Sequence, residues 1–389
     1  MMKKYTLIVT FICCIFSLYG QVKEVSLVSR MDGQKTLLDG QDIIFWGYGY
    51  DDTLSQNDKI FLPGPLLRFD VGDTVIINLK NDSPEDHTIH WHGLDVDQAN
   101  DGVPHTSAPV NGGGAEFSYT FVCKEPGSFI YHCHVLTTLH LSMGMYGLFI
   151  IDSEVENQIY NNAGKYTKDY NYLLSEMNTN WNLNPLSPGP FYLYEADYGM
   201  VNGWAGSEIQ LKNQSIIGNT ADSIGIRLAN TGYGRIETVF PENLEVKVFG
   251  SDGREVNSFF TDTLQMFPGE RFGVVGYPQS IIDDSITVNY YDLRNENLYY
   301  TNYIPVKITD VANTINQDLE KLVVYPNPFN DHLIIDEVKN NGTAIIYDLN
   351  GKQVWKGELT KGQNQIHLNV EKGIYILNFA GKQSKVIKN

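Results

Sequence analysis

The stretch SFIYHCHVLTTLHLSMGMYGLFII, residues 128–151, contains two apolar segments separated by a loop rich in histidine. The segments SFIYH and GLFII are short and rich in aromatic and β-branched residues, which is typical of strands. Similar segments such as TVIINL, LEVKVFG and AIIYDL recur along the chain, separated by Gly, Asn, Asp and Pro. Long amphipathic helical patterns are missing. The sequence therefore predicts an all-β protein made of β-sandwich domains in series.

Two shifts in composition divide the chain. The 389 residues are enough for two or three domains, each with its own core. One polar stretch, NQIYNNAGKYTKDYN, begins at residue 157, and a second, ITDVANTINQDLEKL, begins at residue 308. The predicted domains are therefore residues 22–155, 165–310 and 322–389.

The first twenty residues, MMKKYTLIVTFICCIFSLYG, have a basic start, an apolar run and a small residue before Gln21. This pattern predicts a cleaved export signal at residues 1–20. An uncleaved anchor is the alternative, although the run is short for a membrane span. Cleavage would leave Cys123 and Cys133, which is too few cysteines for a disulfide framework. The net charge of −18 argues against a nucleic-acid partner.

Most histidines of the chain lie in the first predicted domain. Seven of the nine are His87, His90, His92, His105, His132, His134 and His140, and the second predicted domain has none. Side chains two residues apart on a strand share a face, so His90 and His92 point to one side. By the same rule His132 and His134 share a face, and the Cys133 side chain points to the other. A His-Cys-His strand can therefore supply ligands to two metal sites.

A thiolate favours a soft, redox-active metal, and two imidazoles, one thiolate and a weak Met ligand form the blue-copper set. Cys133, His140 and Met145 lie on one loop, and His87 can complete the set from another strand. Met143 is an alternative to Met145 as the axial ligand. Zinc is the main competing metal, but structural zinc sites usually have closely spaced pairs of thiolates, and no CxxC is present.

These residues resemble the multicopper oxidase family of laccase-like cupredoxin proteins. HTIHWHG, residues 87–93, matches one family motif, and HCH at 132–134 with the following His140 and Met145 matches another. His140 follows Cys133 by seven positions where five is usual, as in a longer ligand loop closer to two-domain laccases and copper nitrite reductases. Flanking segments at 63–81 and 101–121 are also similar to the family, and residues 202–275 resemble its copper-free second domain. The resemblance implies two tandem cupredoxin-like Greek-key β-sandwich domains.

The resemblance also implies roles for the ligands. A type 1 copper at His87, Cys133, His140 and Met145 would take single electrons from a reducing substrate, either a phenol or a metal ion. His90, His92, His132 and His134 would belong to a type 2/type 3 copper cluster that reduces dioxygen to water. In the family such a cluster takes eight histidines, and one chain offers four, which predicts a homodimer with the cluster at the subunit interface.

Several residues keep two interpretations. Asp101, in NDGVP, is a candidate proton donor for oxygen reduction or else a turn residue. His105 fits neither ligand motif, and Cys123 is expected to be a buried thiol. For the whole protein, the alternatives are a copper nitrite reductase-like enzyme and a non-catalytic blue-copper electron carrier or copper-binding protein.

The C-terminal segments VVYPNPFNDHLIIDEV, residues 323–338, and GIYILNFAGKQSKVIKN, residues 373–389, resemble the sorting domain of the type IX secretion system. The resemblance implies a Bacteroidota-type bacterium and export through periplasm and outer membrane to the cell surface or the medium. It also implies an interaction with the secretion machinery and removal of the tail. An accessory β-sandwich is the alternative.

Overall fold

The computed structural model describes residues 20–37, 39–51, 60–310, 323–348, 353–380 and 382–389. Residues 1–19 of the predicted export signal lie outside this set, as does the predicted boundary at residues 311–322. Contacts divide the chain into two units, Met1–Asp310 and Val311–Asn389, which are described separately. Strands dominate both units, which confirms the prediction of an all-β protein. Within the described ranges, no helix has the length and apolar character needed to cross a membrane.

The first part of the larger unit is a sandwich of two sheets. Its strands are β1 (Val22–Thr36), β2 (Asp42–Tyr50), β3 (Ile60–Phe61), β4 (Leu67–Asp70), β5 (Thr74–Asn81), β6 (His90–His92), β7 (Ala115–Val122), β8 (Gly127–His132) and β9 (Tyr146–Asp152). One sheet has the order β3-β2-β1-β5-β7 and the other β4-β9-β8-β6. Helix α1 (Thr137–Met143) lies between β8 and β9.

Alternation of side chains along the strands builds the core of this sandwich. In β5, Val75, Ile77 and Leu79 are fully buried while the residues between them are partly exposed. Strand β8 is buried along its whole length. It pairs antiparallel with β6, so that His90 lies opposite His132. This pairing brings the two histidine motifs of the sequence side by side.

A second sandwich follows in the same unit. Its elements are β10 (Gln158–Tyr160), β11 (Ala163–Lys165), β12 (Lys168–Met177), α2 (Thr179–Leu183), a 3-10 helix (Phe191–Leu193), β13 (Tyr198–Val201), α3 (Glu208–Leu211), β14 (Ile216–Asn219), β15 (Ile224–Asn230), β16 (Arg235–Val239), β17 (Leu244–Ser251), β18 (Arg254–Thr261), β19 (Thr263–Met266), β20 (Arg271–Pro278), β21 (Ile282–Tyr291) and β22 (Leu298–Thr309). Its two large sheets have the orders β13-β12-β15-β20-β17-β18 and β14-β22-β21-β16-β19. An apolar core that includes Ile226, Leu228 and Val288 lies between these sheets.

The C-terminal unit is a small sandwich with its own core. Its strands are β23 (Val323–Tyr325), β24 (His332–Val338), β25 (Gly342–Asp348), β26 (Gln353–Leu359), β27 (Gly362–His367), β28 (Gly373–Phe379) and β29 (Lys382–Lys388). They form the sheets β23-β24-β27 and β26-β25-β28-β29. Leu333, Ile346 and Leu377 are fully buried between the sheets.

Candidate metal centres

Three potential ligand atoms converge inside the first sandwich. The Sγ atom of Cys133 lies 3.1 Å from Nδ1 of His140 and 3.6 Å from Nδ1 of His87, and the two Nδ1 atoms are 3.3 Å apart. All three residues are fully buried. We call His87, Cys133 and His140 the buried group. One thiol and two imidazoles in such a small space fit a single metal ion that prefers soft ligands.

Backbone hydrogen bonds hold the loop that carries this group. His87 forms an isolated β-bridge with Val110, and Cys133 directly follows β8. The amide of Met145 donates to the carbonyl of His140 at 3.0 Å, and the amide of Cys133 donates to the carbonyl of Met145 at 3.1 Å. Both Met145 and Met143 are fully buried. Of these two methionines, Met145 has backbone bonds of this kind to two members of the buried group.

The long spacing from Cys133 to His140 has a structural counterpart in α1. Helix α1 forms the middle of the loop between Cys133 and Met145. Its C-terminus is capped by Gly144, where φ is 111°. A Cβ atom at Gly144 would lie 2.9 Å from the carbonyl oxygen of Trp46 and 2.7 Å from the Leu62 side chain. Glycine is therefore required at the turn that returns the chain from His140 to Met145 and β9.

Burial keeps the buried group electrically neutral. Desolvation lowers the pKa of His87 to about 3, with a smaller contribution from His140, and lowers that of His140 to about 4. Desolvation also raises the pKa of the Cys133 thiol to about 11. Neutral imidazoles keep a lone pair for a metal, and a bound cation favours the thiolate over the thiol. The donor set therefore fits a metal cation.

A second cluster lies on the opposite face of the same strands. Ligand atoms of His90, His92 and His132 all lie within 4.8 Å of one another, and Nδ1 of His92 is 3.4 Å from Nε2 of His132. The ring of His134 stacks on that of His132, with 5.9 Å between centroids, and lies 5.1 Å from that of His90. We call these four histidines the open group, because His90 and His92 are only partly buried.

Hydrogen bonds orient two rings of the open group. Nδ1 of His90 donates to the backbone carbonyl of Asp101 at 2.8 Å, and the Asp101 carboxylate lies 3.3 Å from the same nitrogen. Nδ1 of His132 donates to the carbonyl of Cys133 at 2.9 Å. Bonds of this kind fix the tautomer and leave Nε2 as the ligand atom. Desolvation is the main cause that lowers the pKa of His132 to about 3 and that of His92 to about 4.

The second sandwich forms part of the wall around the open group. A cavity of about 330 Å³ is lined by the four histidines and, from the second sandwich, by residues 230–233 together with Pro268 and Gly269. A Cβ atom at Gly269 would lie 3.0 Å from the His92 ring. The Tyr233 hydroxyl donates to the carbonyl of Thr138 in α1 at 2.6 Å. Sequence reasoning missed these wall residues, because nothing in their local pattern indicates a ligand site.

The remaining candidates lie outside both groups. His105 is exposed, and it belongs to neither cluster of potential ligands found among the described residues. Cys123 is buried, and desolvation raises the pKa of its thiol to about 12, as expected for an inert thiol. Trp91 is fully buried among aromatic side chains of the first core and packs 5.6 Å from the Phe149 ring.

Two family models match parts of this chain. Residues 49–156, which contain both groups, match the multicopper oxidase model, and residues 323–389 match the secretion system C-terminal sorting domain model. The chain carries a multicopper oxidase domain. The match covers β3 to β9 of the first sandwich, which include both ligand groups, and the sorting domain indicates secretion by a type IX system.

Several proteins with copper-related names are similar to this chain. Copper resistance protein A of Escherichia coli is 26% identical over 260 residues, which are 56% of this chain and 42% of that protein. Multicopper oxidase MCE of Talaromyces pinophilus is 36% identical over 149 residues, which are 36% of this chain and 22% of that protein. The chain thus spans less than half the length of these two relatives. The crystal structure of a blue copper oxidase from Nitrosomonas europaea has a TM-score of 0.61 at 25% identity and covers 77% of this chain and 88% of that chain.

Proposed function

We propose that the protein is a secreted copper-dependent oxidase that takes single electrons from a reducing substrate and passes them to dioxygen. One observation carries this proposal. The segment His132-Cys133-His134 sends its thiol to the buried group and its two imidazoles to the open group. Two metal centres would therefore be joined through adjacent residues of one strand end.

Each group has a separate role in this proposal. His87, Cys133, His140 and Met145 would hold a type 1 copper, and the open group would hold part of a type 2/type 3 cluster. Copper at these positions would supply one-electron redox chemistry, with four donor electrons and four protons converting one dioxygen to two waters. The covalent connection from Cys133 to His132 and His134 would join the residues that hold the two centres.

Asp101 is proposed as the proton donor. Its backbone carbonyl already accepts the hydrogen bond from His90, so the carboxylate, 3.3 Å from the same ring nitrogen, is not needed for that purpose. The Asp101 side chain is 28% exposed and can therefore exchange protons with solvent. A positioned carboxyl group beside a metal ligand is suited to general acid catalysis.

The cluster would be completed by a second subunit. One chain offers four histidines in the open group, and a family-type cluster takes eight. A two-fold axis near the partly exposed His90 would bring two such groups together with one kind of contact used twice. We therefore propose a homodimer that holds one type 1 copper per chain and a shared cluster.

Two rival functions are less well supported. A nitrite reductase would complete a three-histidine copper site with a histidine from a neighbouring second domain, but residues 141–331 contain no histidine. An electron carrier would need only the buried group, and the four clustered histidines of the open group would then have no use. Each of these two functions differs from the oxidase in the expected copper content or in the acceptor that is consumed.

Copper counting combined with acceptor assays tests the proposal. The copper-loaded protein should contain five coppers per dimer, show a strong visible band and consume dioxygen when given a phenol or a reduced metal ion. Nitrite consumption without oxygen uptake would indicate the reductase instead. A blue protein with one copper per chain and no consumption of either acceptor would indicate a carrier.

Mass spectrometry of culture supernatant tests the secretion route. If the C-terminal unit acts as a cleaved sorting domain, the secreted protein ends near residue 322. An exported protein that keeps Asn389 would contradict cleavage and leave the oxidase proposal unaffected.

A further inference from the structure

The two histidines of the C-terminal unit lie opposite each other on neighbouring strands. His332 begins β24 and His367 ends β27, and the antiparallel pairing of these strands makes the two residues direct partners. Direct partners on antiparallel strands have side chains on the same face of the sheet. The two imidazole rings are 5.9 Å apart between centroids. We call His332 and His367 the cross-strand pair.

The separation of the two rings suits a shared metal ion. Zinc–imidazole bonds are about 2.0–2.1 Å long, and two rings on one ion therefore have centroids about 5–6 Å apart. The open group gives a comparison within the same protein. The ring of His92 lies 5.6 Å from that of His132 and 6.0 Å from that of His90, and the ligand atoms of these three residues converge. The cross-strand pair has the same spacing.

Hydrogen bonds show which nitrogen of each neutral ring keeps its lone pair. Nδ1 of His332 lies 2.7 Å from Oδ1 of Asp331. A carboxylate only accepts hydrogen bonds, so Nδ1 carries the proton and the lone pair is on Nε2. The side-chain amide nitrogen of Gln365 lies 3.4 Å from Nε2 of His367. Because an amide nitrogen only donates, the lone pair of His367 is also on Nε2. Both rings can therefore bind a metal through Nε2.

Asp331 orients one ring of the pair. A carboxylate on the second nitrogen of a metal-binding imidazole fixes the ring and increases its basicity. The backbone of Asp331 is held in turn, because the amide of Leu368 donates to its carbonyl at 3.0 Å. The His332 side chain is 35% exposed, and His367 is exposed. An ion from solvent can therefore reach the pair.

The surrounding face of the sheet favours a cation. Strand alternation places Ile334 and Asp336 of β24 and Gln363 and Gln365 of β27 on the same face as the cross-strand pair, and all four are at least partly exposed. None of them carries a positive charge, and Asp336 carries a negative one. A bound divalent ion would meet no like charge from these neighbours.

We propose that the cross-strand pair binds one divalent transition-metal ion, with water completing its coordination. Imidazole ligands suit Zn²⁺, Cu²⁺ and Ni²⁺. An ion held by β24 and β27 would connect the two strands and stabilise the folded C-terminal unit at ion concentrations above the dissociation constant. The inference does not depend on the oxidase proposal, because neither histidine belongs to the buried or the open group.

Equilibrium dialysis of the metal-free full chain against Zn²⁺ tests the proposal, with bound zinc per chain as the measurement. The buried and open groups can also take up zinc, so the result is the difference between variants. His332→Ala and His367→Ala each remove one ligand of the pair. Gln365→Ala is the control on the same face of β27, and His105→Ala is the control for loss of an exposed histidine.

At the lowest zinc concentration that saturates the unchanged chain, His332→Ala and His367→Ala should each bind one zinc fewer. Their affinity should fall at least about a hundredfold, since loss of even a ligand's hydrogen-bond partner costs about tenfold to a hundredfold. Both controls should bind as much zinc as the unchanged chain. If the two histidine variants also do so, or if the controls lose as much zinc as they do, the pair is not a metal site.

Variants of Asp331 test its positioning role while both ligands remain. Asp331→Ala should weaken zinc binding about tenfold to a hundredfold. Asp331→Asn should bind more tightly than Asp331→Ala, because its amide oxygen can still accept the hydrogen bond from Nδ1 of His332. Equal zinc affinity in Asp331→Ala and the unchanged chain would show that Asp331 does not position the ligand.

Discussion

The buried and open groups lie on opposite faces of the same strand ends, yet they differ in nearly every physical respect. His87, Cys133 and His140 are fully buried, and their ligand atoms converge within one chain. His90 and His92 are partly exposed, and their cavity borders on the second sandwich. The difference teaches that one strand alternation can supply two sites while the surroundings decide whether each site is closed.

The enclosure of the two groups also differs. The buried group is enclosed by the first core, with Trp46 packed against His140 at a centroid distance of 5.3 Å. The second sandwich covers the open group only in part, through the turn at Pro268 and Gly269 and through Tyr233. Variants that affect one group and leave the other intact can therefore test the separation.

The largest expected effect is complete loss of colour in Cys133→Ser. A serine hydroxyl cannot provide the thiolate-to-copper bond that causes the strong visible band. Visible absorption of the copper-loaded protein measures the loss, and the open group should still bind copper. Cys123→Ser is the matched control, since Cys123 is also buried but lies outside both groups. A strong band that persists in Cys133→Ser would show that Cys133 is not the ligand.

Removal of a histidine from the open group should have the converse result. In His90→Ala, oxygen uptake should fall at least about a hundredfold, since loss of even a ligand's hydrogen-bond partner can reduce activity that much. The visible band should remain, because His90 faces away from the buried group. His105→Ala is the control and should change neither property. Equal oxygen uptake in His90→Ala and the unchanged protein would contradict a role for the open group.

A smaller effect is expected from Asp101→Asn, which keeps the backbone bond to His90 but removes the acid. Oxygen uptake should fall about tenfold to a hundredfold while copper content and colour stay constant, because loss of a general acid typically has at least this effect. Removal of the carboxyl group should also change the pH dependence of oxygen uptake. Asp97→Asn, in the preceding turn, is the control. An unchanged profile would leave Asp101 as a turn residue.

The smallest effect is expected at the axial position. Met145→Leu should keep the colour and raise the reduction potential of the type 1 copper, because a weak axial thioether tunes the potential without holding the ion. Met143→Leu should leave the potential unchanged and, as a swap that nearly conserves volume, should cost less than about 1.5 kcal/mol of unfolding free energy. Redox titration followed in the visible band distinguishes the two. A shift in Met143→Leu alone would reverse the assignment.

Sequence alone was sufficient for the fold class and for the identity of the candidate ligands. Alternation of apolar residues in segments such as Thr74–Asn81 is a local property of a strand, so it could be recognised without a structure. The same period of two assigned Cys133 to one face and His132 and His134 to the other. The ligand roles and the domain boundaries remain predictions, whereas the all-β architecture is confirmed.

The tertiary structure decided which distant residues meet. His87 and Cys133 are 46 positions apart, and Tyr233 reaches the carbonyl of Thr138 from 95 positions away. It also decided that Gly269 packs against His92 and that Tyr233 lines the cavity of the open group. Such contacts depend on how two sheets pack together, and packing is a property of whole surfaces that no local periodicity encodes. The sequence by itself thus determined the candidate ligand types and their strand faces, and only the tertiary packing decided that the first core encloses one group while the second sandwich leaves the other partly open.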